Sequence, residues 1–230
     1  MTDNTISPAP MPPPAITVLE VRAGRIEPLG QDGQQSAINK LPVSGSMLLT
    51  HVGLEGDEQA DRNHHGGYDK AFHHYPSEHY AAWRAELPGS ALQFVPGGFG
   101  ENLPTLELTE NNICIGDLFR LGNAIIQVSQ ARKPCAKLNI RFGAENMVRR
   151  VLDSGRAGWY YRVLEEGKIG AGDTLTLIER NHPSWTIART LRVLYLDNPD
   201  KGALAELAEI KPLAQKCRDL ASKLTASPNV

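Results

Sequence analysis

Cysteine is scarce in this chain, with only Cys114, Cys135 and Cys217 among 230 residues. An odd number set far apart builds no disulfide framework, and three thiolates fall one short of an ordinary plant-type iron–sulfur cluster. The thiols are expected to be reduced, which points to the cytoplasm. Long apolar runs are missing as well. No stretch approaches the roughly 18 to 20 consecutive apolar residues that span a bilayer, and the first residues lack the basic-then-apolar order of a secretory signal. Charge of neither sign dominates, since 24 Lys and Arg against 26 Asp and Glu leave a formal net charge of -2. A nucleic-acid partner would call for a basic excess or stripe, so none is expected. Walker loops, dinucleotide fingerprints, His-Glu-x-x-His and Cys-x-x-Cys are all absent. Any electrons this chain uses would have to come from a separate reductase.

What is present is the balance of an ordinary globular protein, 41% apolar and 22% charged, with length for one substantial core and a small appendage. Residues 1–15 hold five of the sixteen prolines and few apolar side chains. Ordering them would cost roughly 1–2 kcal/mol per residue, more than their burial returns, so this tail is expected to be disordered. From 16 to 181 the signals are strands and turns. Ile16–Val21 and Met47–Val52 read as strands, as do Ile113–Ile115, Leu118–Leu121 and Ala124–Val128, which Gly-Asp and Gly-Asn pairs separate. Short strands at this spacing predict an antiparallel barrel or sandwich. Two helices interrupt them: one over Glu78–Leu87 capped by Ser77, with Tyr80, Trp83 and Leu87 inward, and one over Ala144–Ser154 closed by Gly155. From 182 to 230 the spacing turns helical, with stripes at Ile187, Leu191, Leu194 and Tyr195, then Leu204, Leu207 and Ile210, then Leu213, Cys217, Leu220 and Leu224 behind Pro212. A bundle this small should dock on the barrel or on a partner.

Three constellations carry chemistry. In Val128-Ser-Gln-Ala-Arg-Lys-Pro-Cys-Ala-Lys-Leu a strand ends in a turn stiffened by Pro134, which presents Cys135 among Arg132, Lys133 and Lys137. Nearby cations favour the thiolate, the form that attacks or ligates metal; the competing reading is a small buried residue. Cys114 and Cys217 have no such setting and read as core. Next comes Gly53-Leu-Glu-Gly-Asp-Glu followed by His64-His65-Gly66-Gly67, where glycine amides can approach an anionic ligand. Six of the seven histidines fall between His51 and His79, yet none forms the spacing of a zinc site. Last is Pro96-Gly-Gly-Phe-Gly-Glu-Asn-Leu, a close-approach loop or a plain glycine-rich one, in which Glu101 and Asn102 can hydrogen-bond a heterocycle.

Taken together, GLEGDEQAD with HHGG, HHYPSEHY, FGENL, IGDLFRLG, QVSQARKPC and GWYYRVLEEGKI resemble the MOSC family, the domain also found at the C-terminus of molybdenum cofactor sulfurases. The match is to its YiiM-like branch, whose C-terminal three-helix appendage residues 184–225 resemble. The resemblance implies a mainly β (α+β), antiparallel barrel-like fold holding a molybdenum–molybdopterin cofactor. It makes Cys135 the molybdenum ligand and catalytic centre, with His65, Gly66, Gly67, Glu101, Asn102 and Arg132 as cofactor-binding residues and Lys133 as a further cation. It implies reduction of N-hydroxylated small molecules of the 6-hydroxylaminopurine type, with electrons from an external reductase and no membrane partner. Two other uses of the thiol stay open: a sulfur or cofactor carrier holding a Cys135 persulfide, and a thiol hydrolase pairing Cys135 with His65.

Overall fold

The computed structural model describes residues 10–61, 66–196 and 200–227. Its centre is a seven-stranded, barrel-like sheet of β1 (Ile16–Thr17), β2 (Phe72–Pro76), β3 (Leu103–Thr105), β4 (Leu118–Leu121), β5 (Ala124–Ala131), β6 (Trp159–Glu165) and β7 (Thr174–Glu179). The spatial order is β1-β7-β4-β5-β6-β2-β3. Every pairing is antiparallel except β2 with β3, so the all-antiparallel expectation is corrected at that edge. Met47–Thr50 forms a satellite sheet with Gly53–Leu54 and Gly167–Ile169. Two small ribbons, 22–24 with 40–42 and 27–29 with 34–36, stand beside it.

The β4–β5 hairpin closes through Gly122-Asn123, with Leu121 opposite Ala124. β5 is the central strand and is buried almost throughout, because it has the barrel core on one face and other elements on the other. Ile113–Ile115, expected as a strand, is a turn with one bridge, Cys114 to Thr186. The Asp117 carboxylate takes the Cys114 N–H at 2.9 Å, and the chain at 185–187 satisfies Ile113 and Ile115, so no ladder is needed.

Helix α1 (His79–Glu86) buries Tyr80 and Trp83 as its spacing predicts, but Ser77 does not cap it through its hydroxyl. The Ser77 N–H instead extends the β2 ladder to Thr105 O at 2.7 Å. A short α2 (Lys137–Phe142), unforeseen in the sequence, precedes α3 (Met147–Ser154). The α3 start falls later than expected, and the Asn139 side chain from α2 accepts the Val148 N–H at 3.1 Å. Gly155 closes α3 in the left-handed conformation, φ 71°.

The last three helices are α4 (Ile187–Tyr195), α5 (Lys201–Ala208) and α6 (Gln215–Ala226). Thr186 and Asp200 cap the first two. The third begins at Gln215 rather than Pro212 because residues 211–213 form a turn and Ala214 N–H donates to Ser129 O on β5 at 2.8 Å, outside the helix. Leu191, Leu204 and Leu207 belong to the same buried cluster as the barrel residues Ile126 and Val128. Of the tail, residues 1–9 lie outside the described residues; Pro13 is buried, and Pro10 O accepts from Arg180 at 3.2 Å. Among the described residues no helix is long and apolar enough to cross a membrane.

Candidate functional site

Where β5 runs out, Arg132 N–H still donates to Gly158 O at 3.0 Å, keeping the strand end beside β6. The chain then turns through Pro134 and Cys135 into α2. Cys135 is half-buried and opens onto a small cleft. Residues 36–38 and 59–61 form two walls, Phe99 and Gly100 a third, and His73, Arg132 and Tyr160 the inner surface.

Two buried groups on that surface lack hydrogen-bond partners among the described residues: His73 Nε2 and Arg132 Nη1. Arg132 is only 5% exposed, and its Nη2 donates to Phe99 O at 3.3 Å. His73 packs against the Tyr160 ring, centroid to centroid 4.9 Å. Burial, reinforced by the Arg132 charge, holds the His73 pKa well below the ordinary imidazole value, so it is neutral. Burial pushes the Tyr160 phenol up, so it keeps its proton. Gly158 makes this packing possible: a Cβ there would sit 2.3 Å from His74 O and 3.2 Å from His73 Nε2. Buried polar groups are nearly always satisfied, so two such groups on one cleft make it the candidate ligand surface.

The sequence-predicted residues distribute unevenly around this cleft. Cys135 and Arg132 line it. His65 lies outside the described residues, as does His64. Gly66 and Gly67 lead into the 3₁₀ turn Tyr68–Lys70 before β2 and are not among the lining residues. Glu101 and Asn102 are not among the lining residues, and both side chains are engaged inward. The Glu101 carboxylate, wholly buried, accepts from Gly97 N at 2.6 Å, Phe99 N at 3.1 Å and the Tyr80 hydroxyl. It thereby folds the loop that presents Phe99 and Gly100. Gly97 has φ 87°, and a Cβ there would sit 2.3 Å from Lys40 O, so glycine is required. Asn102 takes His73 N–H at 3.1 Å and donates to Arg22 O and Asp57 Oδ2 at 3.0 and 2.8 Å. Lys133 is exposed, its Nζ lies 5.5 Å over the Tyr195 ring, and it is not among the lining residues.

The histidines likewise disperse, with His51 on Val163 O and His79 on Glu110, each at 2.8 Å. Among the described residues no three His, Cys, Asp or Glu side chains gather to hold a metal. His74 occupies the opposite face of β2 from His73, stacked on Trp159 at 4.2 Å and bonded to Tyr161 and Thr105 at 3.0 and 2.8 Å. Burial pushes its pKa from 6.5 down to about 3. The folded value is depressed, so the stability contributed by neutral His74 is complete above about pH 6.5 and is lost as pH falls toward about 3. At roughly 1.4 kcal/mol per unit, this group alone should remove about 2–3 kcal/mol by about pH 4.5. Urea unfolding of wild type and His74→Gln across that range checks it; equal pH slopes would exclude the effect.

A model of the MOSC domain matches residues 61–176, and a model of the YiiM-like, 3-alpha helix domain matches residues 185–226. The chain belongs to the MOSC family. Among its relatives, Protein YiiM of Escherichia coli (strain K12) is 47% identical over 162 residues, 70% of this chain and 72% of that one. A protein of Gibberella moniliformis named "Reductase" is 39% identical over 230 residues, 99% of this chain but 40% of that protein, so the chain spans less than half of this relative. The crystal structure of YiiM from Escherichia coli superposes with a TM-score of 0.77 at 34% identity, covering 94% of this chain and 93% of the other. In MOSC terms the matched span carries the strand-end cysteine and both buried, partnerless groups. The segments 36–38 and 59–60 that complete the cleft lie before it.

Proposed function

We propose that this MOSC protein is a molybdenum-cofactor-dependent reductase of N-hydroxylated compounds. The observation that carries this reading is one cleft joining the Cys135 thiol to the partnerless Arg132 Nη1 and His73 Nε2. Molybdopterin is a hydrogen-bonding ring bearing a phosphate and a dithiolene, and its site needs a soft ligand, a cation and polar groups. The described residues fit those needs. Cys135 would ligate the metal, Arg132 would hold the anionic portion, and the loop at Phe99–Gly100 would border the ring. Glu101 and Asn102 hold that loop and its neighbours in place, and His65, Gly66 and Gly67 are proposed to contact the cofactor. When bound, the cofactor supplies two-electron oxygen-atom chemistry.

The net reaction cleaves the N–O bond: R–NH–OH with two electrons and two protons gives R–NH₂ and water. For this the protein must orient the N–OH group and exclude side reactions. Neutral His73 and the protonated Tyr160 phenol are two of the cleft's polar groups suited to that orientation. Electrons come from a separate donor, a reading supported by the relative named "Reductase", in which this chain matches 40% of a longer protein. The barrel, 16–181, would hold the cofactor and the helical segment, 182–230, would serve as an accessory domain in the cytoplasm.

Purified, cofactor-loaded protein should reduce 6-hydroxylaminopurine when given a chemical electron donor, with amine product detected by chromatography. No turnover by the wild type would refute the reading. A persulfide on Cys135 by mass spectrometry, without molybdenum, would mark a sulfur carrier instead.

A smaller expected effect concerns Tyr160. Tyr160→Phe keeps the ring packed on His73 but removes the hydroxyl beside Arg132. It should lower kcat about 10- to 100-fold with molybdenum content unchanged. Unchanged kinetics would remove Tyr160 from the site.

A further inference from the structure

A second cavity, of about 160 Å³, lies where α4 meets the N-terminal end of α1, the C-terminal end of α3 and the turn at 110–111. Among the described residues it shares no lining residue with the cleft. Ala188 N–H donates to Glu110 O at 2.8 Å and holds α4 against that turn. Leu152, Leu191 and Leu196 give the cavity an apolar wall. An apolar cavity of about 150 Å³ admits a benzene ring, so the space here suits a single ring.

The acids that line this cavity are already engaged. Glu110, 3% exposed, accepts Gly158 N–H at 2.7 Å on one oxygen, and its other oxygen lies 2.8 Å from His79 Nε2. Asp153 on α3 is held by Arg149 at 2.8 Å. The donors are not used up in the same way. Arg156 gives one arm to Glu86 at 2.7 Å, with its guanidinium 3.6 Å over the Trp83 ring. Its Nη1 is buried and has no hydrogen-bond partner among the described residues. Arg192, exposed on the last turn of α4, has neither a side-chain hydrogen bond nor an ion pair among the described residues. Spare guanidinium donors beside a hydrocarbon wall suit a ligand with a planar anionic head and an apolar body.

We propose that this cavity is a second binding site, for a small aromatic monocarboxylate whose carboxylate bridges Arg156 and Arg192 and whose ring lies on the leucine wall. Guanidinium forks match a carboxylate in shape as well as charge. Glu110 and Asp153 line the same cavity, so a dianion such as phosphate meets two carboxylates and is disfavoured. A ligand held between Arg156, which follows α3, and Arg192 on α4 fastens the helical segment to the barrel and stabilises the fold by mass action. This site stands whether or not the cleft holds molybdenum.

Calorimetric titration of the full chain, as purified, with benzoate tests the assignment. Wild type should bind one benzoate per chain, and Arg192→Met should bind it at least about tenfold more weakly, with Arg192→Lys in between. Arg192 is exposed, so its replacement leaves the fold in place. Benzamide, the same ring without the charge, and inorganic phosphate should each bind wild type at least about tenfold more weakly than benzoate. Saturating benzoate should raise the Tm of wild type and leave that of Arg192→Met where it was. No binding of benzoate by wild type, equal affinity in Arg192→Met, or benzamide or phosphate bound as tightly as benzoate would each overturn the site.

Discussion

Cys135→Ala is expected to abolish reduction of N-hydroxylated substrate, by more than about a thousandfold, while leaving the fold intact. The two halves of that expectation have separate causes. Loss of activity follows from removing the soft ligand in a cleft whose other groups are hard or neutral. Retention of the fold follows from the position of Cys135, half-buried on a turn rather than in the core cluster. A truncation there leaves space at the cleft and no cavity sealed in the barrel, so the thermal midpoint should move by only a few degrees. Steady-state kinetics with a chemical donor beside thermal unfolding checks both. Activity within about tenfold of wild type would remove Cys135 from the centre of the chemistry.

Asp57→Ala should do the reverse, harming the fold first. Asp57 and Lys40 form an ion pair whose side chains are 2% and 8% exposed. The same carboxylate accepts Gly24 N–H at 2.7 Å and Asn102 Nδ2 at 2.8 Å. These bonds tie together, from behind, the three segments that wall the cleft: 36–38 beside Lys40, 59–61 beside Asp57, and 99–100 beside Asn102. Burial already pulls the Lys40 pKa down, and Asp57 is what opposes it. Without the carboxylate a buried ammonium loses its counter-charge, a change that costs about 3–5 kcal/mol. For a chain of this length that is roughly 10 °C in Tm. Adding Lys40→Met to Asp57→Ala removes the stranded charge and should recover more than half of the loss. If the double variant is no more stable than Asp57→Ala, the pair is not the cause.

Much of the architecture was legible because local signals and tertiary demands agree. Gly122-Asn123 between apolar runs marks a hairpin, and the hairpin is the centre of the sheet. Thr186 and Asp200 cap helices whose apolar stripes were visible at helical spacing. Local signals failed where a side chain or a distant segment took over a backbone bond. Asp117 did so at Ile113–Ile115, and Ser129 took the Ala214 N–H past Pro212. The six-residue α2 is too short to show a period and owes its existence to Leu138 and Phe142 being buried.

The site was half legible. The strand end stiffened by proline singled out Cys135 and Arg132, and both line the cleft. His73 was missed because adjacent histidines on a strand face opposite sides, and nothing in the sequence says which one meets the cleft. Tyr160 is its cross-strand neighbour and was missed for the same reason. Glu101 and Asn102 looked like ligand contacts because they follow a glycine loop. The loop itself needs their hydrogen bonds, since its own amides at Gly97 and Phe99 would otherwise be buried unpaired.

The claim on which all else depends is that one sulfur, of the three in the chain, holds molybdenum. Elemental analysis of freshly purified protein tests it directly: about one molybdenum per chain in wild type and in Cys217→Ser, and almost none in Cys135→Ser. Equal molybdenum in wild type and Cys135→Ser, or none in any of the three, would contradict it.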